Sequence, residues 1–401
     1  MSESGMPATS IVVISRHRPQ ALARCLTTLA DQTHPRLEVV LVADPASVGI
    51  RPDLPLKRVV FDRANVSAAR NEGLALAAGE VVLFIDDDAL AEPGWAEALA
   101  APFADPRVIA ATGFTRGPDG LRWQVRGERI TPSGNTTPLN IARTTLLEPE
   151  NGCPVSTIGT NCGFRHKALI AVGGFDPAFA YHLDESDVNM RMAARFPLGL
   201  TAVVPAAQVL HGVAPGTGRG EAGVPHDLTA VGRSAAIFAA RHGGKTDWLR
   251  DNQRRRLLRH MVAGRLDPLA IGRILATLDR GLSEGRDLAP SPPVWDRPPP
   301  PPFQSMPPAT GDQPLLLAGW HWHARRLRAR AARAAAEGRR VVLLLLTPSF
   351  LPHRLTLVPG GWWEQNGGLW GASRSGDPPV LFLGKRARIL RESGNLPGRR
   401  E

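Results

Sequence analysis

No stretch of the chain reaches the roughly 18–20 consecutive apolar residues that a membrane-spanning helix requires. The longest candidate, VVLLLL at Val341–Leu346, suits a buried strand instead. The opening MSESGMPATS has no basic segment running into an apolar one, so no secretory signal is expected. Cysteine is scarce: Cys25, Cys153 and Cys162 are too few, and odd in number, for a disulfide framework, and none has zinc-ligand spacing. Repeats of solenoid period are also missing. These absences argue against an integral membrane protein, a disulfide-stapled secreted domain and a repeat scaffold. They fit a cytoplasmic protein, peripheral at the inner membrane surface if it meets a membrane.

What is present is an ordinary globular composition, 43% hydrophobic and 21% charged over 401 residues, long enough for two or three cores. The formal charge of +11 is unevenly placed. Residues 1–245 hold 23 Lys/Arg and 24 Asp/Glu, whereas residues 246–401 hold 25 and 13. The first part is therefore neutral and the second strongly basic. Such a field favours an anionic partner such as a lipid surface or a charged glycan.

Strand and helix signals alternate through the first 115 residues. SIVVIS, LEVVLVAD, KRVVFD, VVLFIDDD and VIAATGF read as strands, with helices opening near Pro19 and Val66. Repeated βα units with continuous apolar strands imply an α/β fold with a mostly parallel sheet flanked by helices. Ligands then sit beyond the strand carboxyl ends. From Gly117 to Pro154 the pattern loosens, with a strand expected at Trp123–Ile130. Helices are expected from about His166 and over His182–Phe196, a strand over Thr201–Gly212, then a glycine-rich loop and another helix. The resulting division is a domain at 8–245, a helical segment at 246–289, a stiff proline-rich spacer at 290–312 and a small basic α/β module at 313–395. In that module LLLAG, the arginine-rich helix Trp322–Glu337 and VVLLLL make a βαβ unit, followed by a hairpin at His353–Gly371.

Three features carry chemistry. Asp86, Asp87 and Asp88 end an apolar strand, where like charges repel and fold stability gains nothing. Carboxylates are hard ligands suited to Mg²⁺ or Mn²⁺ shared with substrate phosphates. Asp184, Asp187 and Arg191 recur on one side of a helix, with Glu185 one step round, and clustered carboxylates make better general bases. His211 closes an apolar strand and offers an imidazole to the same cation. Each motif alone also fits an acidic turn, a helix N-terminus or a packed histidine.

In order, these parts resemble the family-2 glycosyltransferases of GT-A fold over about residues 8–245. The resemblance rests on Asp44 at a strand end, A-x-R-N-x-G through Arg70 and Asn71, FIDDD, GTNCGF around Asn161, VGGFD and an E-D-x-D-like helix. It implies a metal-dependent, inverting transfer from a nucleotide-diphosphate sugar to a hydroxyl of a glycan or lipid-linked acceptor, in polysaccharide or cell-envelope synthesis. By the same resemblance Asp44, Arg70, Asn71, Asp86, Asn161 and Arg191 would touch substrate, and Asp86, Asp88 and His211 would hold the metal. Glu185, Asp184 and Asp187 would form the catalytic group. The family's usual Glu-Asp pair reads Asp184-Glu185 here, which leaves the identity of the base open. Two other readings are a nucleotidyltransferase and a catalytically silent glycan- or membrane-binding scaffold. ISRHRPQ lacks the glycine-rich phosphate loop that the former would want. Nucleic acid is not an expected partner.

Overall fold

The computed structural model describes residues 5–212, 218–220, 223–288, 292–309 and 313–394. The first half alternates as the sequence reading expects: β1 (Thr9–Ser15), α1 (Pro19–Ala30), β2 (Leu37–Ala43), β3 (Lys57–Val60), α2 (Val66–Leu76), β4 (Val81–Asp86), β5 (Ala89–Ala91), α3 (Trp95–Ala100) and β6 (Val108–Arg116). Four short strands follow, β7 (Trp123–Val125), β8 (Glu128–Ile130), β9 (Thr136–Pro138) and β10 (Thr145–Leu147). Trp123–Ile130 is thus two strands rather than one, broken where Gly127 takes φ 149°. Next come β11 (Val155–Ser156), β12 (Cys162–Arg165), α4 (His166–Ala171), α5 (Asp184–Arg195) and β13 (Leu200–His211).

The main sheet runs β10-β13-β6-β12-β4-β1-β2-β3. Its β4-β1-β2-β3 half is parallel, as the apolar strands suggest. Beyond β4 the sheet is mixed, because β12 lies antiparallel between β4 and β6. Both faces are covered. Leu22, Leu26 and Leu29 of α1 pack with Trp95 and Leu99 of α3 on one side. Leu74 of α2 packs with Phe164, Phe175 and Val188 on the other.

Three more helices follow, α6 (Thr229–His242), α7 (Asp247–Val262) and α8 (Ala270–Arg286). They share one core with Ile130, Phe179 and Leu183, so a boundary at 245 divides elements of a single packed cluster. Gly232 and Gly281 let α6 and α8 touch backbone to backbone, since a Cβ on Gly232 would sit 2.4 Å from the Leu278 carbonyl. The glycine-rich loop at 212–225 falls partly outside the described residues.

The proline-rich segment is not a free spacer. Its described part, residues 292–309, is strapped along the amino-terminal edge of the main sheet. Met306 donates its N–H to the Leu37 carbonyl (2.7 Å) and is buried in the core under α1. The Gln304 N–H reaches Glu38 (2.9 Å), which also pairs with Lys57 (2.9 Å). Trp295 packs on the opposite face of the sheet beside Gly174. A proline-rich chain is already extended, so laying it on a surface costs little ordering entropy.

The C-terminal module contains β14 (Leu315–Trp320), α9 (Ala324–Ala336), β15 (Val341–Thr347), β16 (Arg354–Leu357), β17 (Trp363–Gly368) and α10 (Lys385–Ser393). β14 and β15 pair in parallel around α9, and β16 and β17 form the expected hairpin, giving the order β14-β15-β17-β16. Leu355 and Leu357 pack on Leu90 and Leu210 of the main sheet, and Arg24 of α1 donates to the Leu357 carbonyl (3.1 Å). No described helix is long and apolar enough to cross a membrane.

Candidate active site

Strand pairing builds the acidic corner. β5 pairs with the end of β13 in a register that sets His211 opposite Ala89, one residue beyond Asp88. The His211 Nε2 lies 3.3 Å from Asp88 and 3.9 Å from Asp86, and one ligand atom from each of the three residues falls within 4.8 Å of the others. Nδ1 faces the Gln124 amide oxygen at 3.0 Å; with Nδ1–H donating there, Nε2 points at the carboxylates. Two carboxylates and an imidazole nitrogen facing one another need positive charge between them, either a proton or a cation. Burial lowers the His211 pKa, but the hydrogen bond and charge of Asp88 outweigh it and the net direction is up.

The middle aspartate points elsewhere. Asp87 is buried, accepts from Ser15 (2.7 Å) and pairs with Arg18 (2.8 Å). Burial and the charges of Asp86 and Asp88 hold its carboxyl up at about 7, against the opposing pull of Arg18 and Ser15. Arg18 also reaches within 3.8 Å of Asp88.

The second acidic segment meets the first through one residue. Arg70, buried on α2, pairs closely with Asp184, lies 3.6 Å from Glu185 and reaches Asp86 at 3.5 Å. The carboxylates of the β4 corner and of the α5 start therefore share a single guanidinium. Asp184 is buried, and burial together with the neighbouring Glu185 pushes its pKa up despite Arg70. Glu185 is the more open of the two, with its side chain 21% exposed. The turn into α5 is strained: His182 and Leu183 take φ 74° and 62°. His17, at the end of β1, takes φ 57°. Three of the five described non-glycine residues with positive φ thus flank this site, which is where fixed strain tends to aim side chains.

A cleft of about 340 Å³ opens beyond the carboxyl ends of β1 and β2, walled by Ile14, Val42, Phe61 and Ala69 and rimmed by His17, Arg18 and Tyr181. Arg18 connects it to the acidic corner. Asp44 stands behind this cleft and is 1% exposed. It accepts the backbone N–H groups of His17 (2.8 Å) and Ala46 (3.1 Å). Burial raises its pKa, and these N–H groups more than reverse that, so Asp44 titrates below the usual carboxylate range.

Several residues expected at the substrate make hydrogen bonds or ion pairs within the fold. Asn161 is fully buried: its amide oxygen accepts from Trp95 (2.8 Å) and its NH₂ donates to the Phe114 and Ala207 carbonyls (3.1 and 3.0 Å). Asn71 exchanges both of its amide bonds with the Phe175 backbone (2.7 and 2.9 Å). Asp187 is buried among Arg191 (2.8 Å), Arg241 (2.9 Å) and His242 (3.0 Å). Arg191 also donates to the Val172 and Gly174 carbonyls. Through these bonds the four residues tie neighbouring elements together. Asp44 likewise shapes the His17 turn. Conversely, reasoning from the missing glycines of ISRHRPQ passes over its own signal. His17 and Arg18, basic residues straight after a strand, line the cleft and reach the aspartates.

A sheet with a cleft beyond its parallel strand ends, and acidic groups converging beside it, is an α/β domain of GT-A type. Residues 10–173 match the sequence model of Glycosyl transferase family 2, and the chain carries a domain of that family there. It is 28% identical over 177 residues to a glucosyl-dolichyl phosphate glucuronosyltransferase of Haloferax volcanii, covering 42% of this chain and 55% of that protein. It is 29% identical over 108 residues to the putative glycosyltransferase EpsH of Bacillus subtilis, covering 25% and 31% respectively. The chain thus spans about half or less of the curated relatives it matches. Among solved structures, the mannosyltransferase PcManGT of Pyrobaculum calidifontis with GDP-Man and Mn²⁺ aligns at TM-score 0.41 and 21% identity, over 73% of this chain and 78% of that one. GalNAc-T7 with UDP, GalNAc and Mn²⁺ aligns at TM-score 0.43 and 18% identity, over 58% and 48%.

Proposed function

We propose that the protein transfers a sugar from a nucleotide-diphosphate donor to a hydroxyl of a glycan or lipid-linked acceptor, with inversion at the anomeric carbon. The observation that carries this reading is the convergence of Asp86, Asp184 and Glu185 on Arg70, beside a cleft of a size to take a nucleoside. The cleft's apolar walls suit a base, and Arg18 at its rim suits the first phosphate.

Asp86, Asp88 and His211 fit a hard divalent cation, Mg²⁺ or Mn²⁺: two carboxylate oxygens and an oriented imidazole nitrogen. When bound, such an ion supplies Lewis-acid stabilisation of the departing diphosphate. The remaining work belongs to the chain. Glu185 takes the proton of the acceptor hydroxyl as that oxygen attacks the anomeric carbon and the bond to the diphosphate breaks. Asp184 positions it. Arg70 binds Asp184 closely and leaves Glu185 more open, which favours Glu185 as the base. Arg70 also ties the base to the donor-side aspartate, so both ends of the displacement are set by one buried group.

The test is hydrolysis and transfer with a panel of UDP-, GDP- and dTDP-sugars in the presence of Mn²⁺ or Mg²⁺. Turnover of one donor, abolished in Asp88→Ala, is expected. Absence of turnover and of metal-dependent donor binding across the panel would leave the scaffold reading in its place.

A further inference from the structure

The small module carries an unusual surface at the carboxyl end of β14. α9 and α10 both begin close to the carboxyl end of β14, since Lys385 at the start of α10 lies 5.0 Å over the ring of Trp320, which closes that strand. Trp320 in turn stacks on Trp322 (4.9 Å, 19°). Trp320 and Trp370 pack on one buried cluster of Leu344, Leu346 and Leu369, and Phe350 lies against Trp370 at 5.3 Å. The Leu381 N–H donates to the Trp370 carbonyl (2.8 Å), which brings the Phe382 segment to the same place. Around these rings the apolar side chains face outward: Phe382 is 84% exposed, Leu390 74% and Leu351 62%.

Charge accompanies the apolar groups. Residues 313–394 hold 13 Lys/Arg against 4 Asp/Glu. Arg325 and Arg326 begin α9 and Lys385 and Arg386 begin α10, so each helix opens with two cations. Cations at a helix N-terminus are unfavourable for the macrodipole, and helix stability does not explain four of them at one end of a sheet. An anion met there would be favoured by the side chains and the helix ends together.

We infer that this end of the module docks on an anionic lipid surface. Exposed phenylalanine and leucine side chains gain by entering an apolar medium. Tryptophan at their margin and Lys/Arg beyond it reproduce the order of a bilayer interface, with acyl chains, then headgroup boundary, then phosphates. The inner ring faces of Trp320 and Trp322 cover each other, and Lys385 lies over Trp320. The inference stands apart from the proposed chemistry, because none of these residues lines the acidic site.

Cosedimentation of the full chain with vesicles tests it. Vesicles of phosphatidylcholine with about a third phosphatidylglycerol should bind the protein at low salt and release it at 1 M, where the screening length shrinks to about 3 Å; pure phosphatidylcholine should bind weakly. Each basic residue near such a surface is worth about 1 kcal/mol, so Lys385→Ala with Arg386→Ala should weaken binding about thirtyfold. Phe382→Ser with Leu390→Ser should weaken it at least about tenfold, both side chains having lost their apolar insertion. All four positions lie outside the acidic site, so donor hydrolysis and melting temperature should be unchanged. In the wild-type protein, brominated acyl chains should quench tryptophan fluorescence. Equal binding to neutral and anionic vesicles would overturn the inference. So would undiminished binding of both double variants, no quenching, or preference for a single-stranded oligonucleotide or a neutral oligosaccharide over the vesicles.

Discussion

Asp187→Asn separates a packing role from a catalytic one. The Asp187 carboxylate is buried and meets three basic groups, Arg191 and Arg241 at 2.8 and 2.9 Å and His242 at 3.0 Å. Arg241 continues the network to Asp176 at 2.6 Å. Replacing the carboxylate with an amide removes the anion, leaves the buried Arg191 guanidinium without its carboxylate partner and leaves Arg241 with Asp176 alone. Breaking a buried pair from one side typically costs about 3–5 kcal/mol. For a core of this size, that corresponds to a fall in melting temperature of roughly 10 °C. Linkage gives the same sign. Burial raises the Asp187 pKa, but His242, Arg191 and Arg241 more than reverse it, and the net direction is down. Its contribution is therefore fully present above the unfolded carboxylate pKa of about 3.9 and lost as pH falls through the lower folded value. The assay has two readouts, thermal melting and donor turnover measured well below both melting points. A large loss of stability with turnover within a fewfold of wild type is expected. A variant that melts with wild type yet has lost turnover would refute the packing assignment and return Asp187 to the chemistry.

The reverse pattern is expected at Glu185: Glu185→Gln should reduce transfer by about a hundredfold or more with little change in melting. Asp184→Asn, which strips Arg70 of its close partner, should lose both activity and stability. His34 provides a pH test. Its Nδ1 accepts the Arg36 N–H (3.1 Å) and its Nε2 faces Thr9 (3.2 Å), a neutral arrangement, and burial with Arg36 lowers its pKa to about 4. Between about pH 6.5 and 4 the unfolded chain then binds a proton that the folded one does not. Stability should fall across that window, with up to about 3 kcal/mol at stake, and His34→Gln should flatten this part of a melting-temperature profile. Met306→Ala should cost about 2–5 kcal/mol by urea titration, as expected for a fully buried side chain rather than a linker residue.

Which strands and helices form was readable because it rests on local periodicity. The runs at Leu37 and Val81 need no partner to announce themselves, and the basic βαβ unit was equally plain. The convergence of Asp86, Asp88 and His211 was legible too, since each ends an apolar strand. What the polar groups do once folded was not. Asp187 gains its partners from Arg241 and His242, more than fifty residues later, and Asn161 gains Trp95 from far upstream. An amide or carboxylate in a motif looks the same whether it faces a ligand or closes a turn, and only the tertiary neighbours decide. The strap was misjudged for a related reason. Proline excludes helix and sheet interiors, but says nothing about whether an extended chain lies in solvent or along another surface.

That strap sets where the molecule can be divided. A truncation ending before Pro292, the natural cut for anyone isolating the amino-terminal half, would uncover the floor beneath α1 and take away the Gln304 N–H that Glu38 accepts. A piece that keeps the floor beneath α1 closed should extend through Ala309, whose N–H donates to the Gln32 carbonyl at 2.9 Å. The tether between the two units is, in physical terms, a component of the first.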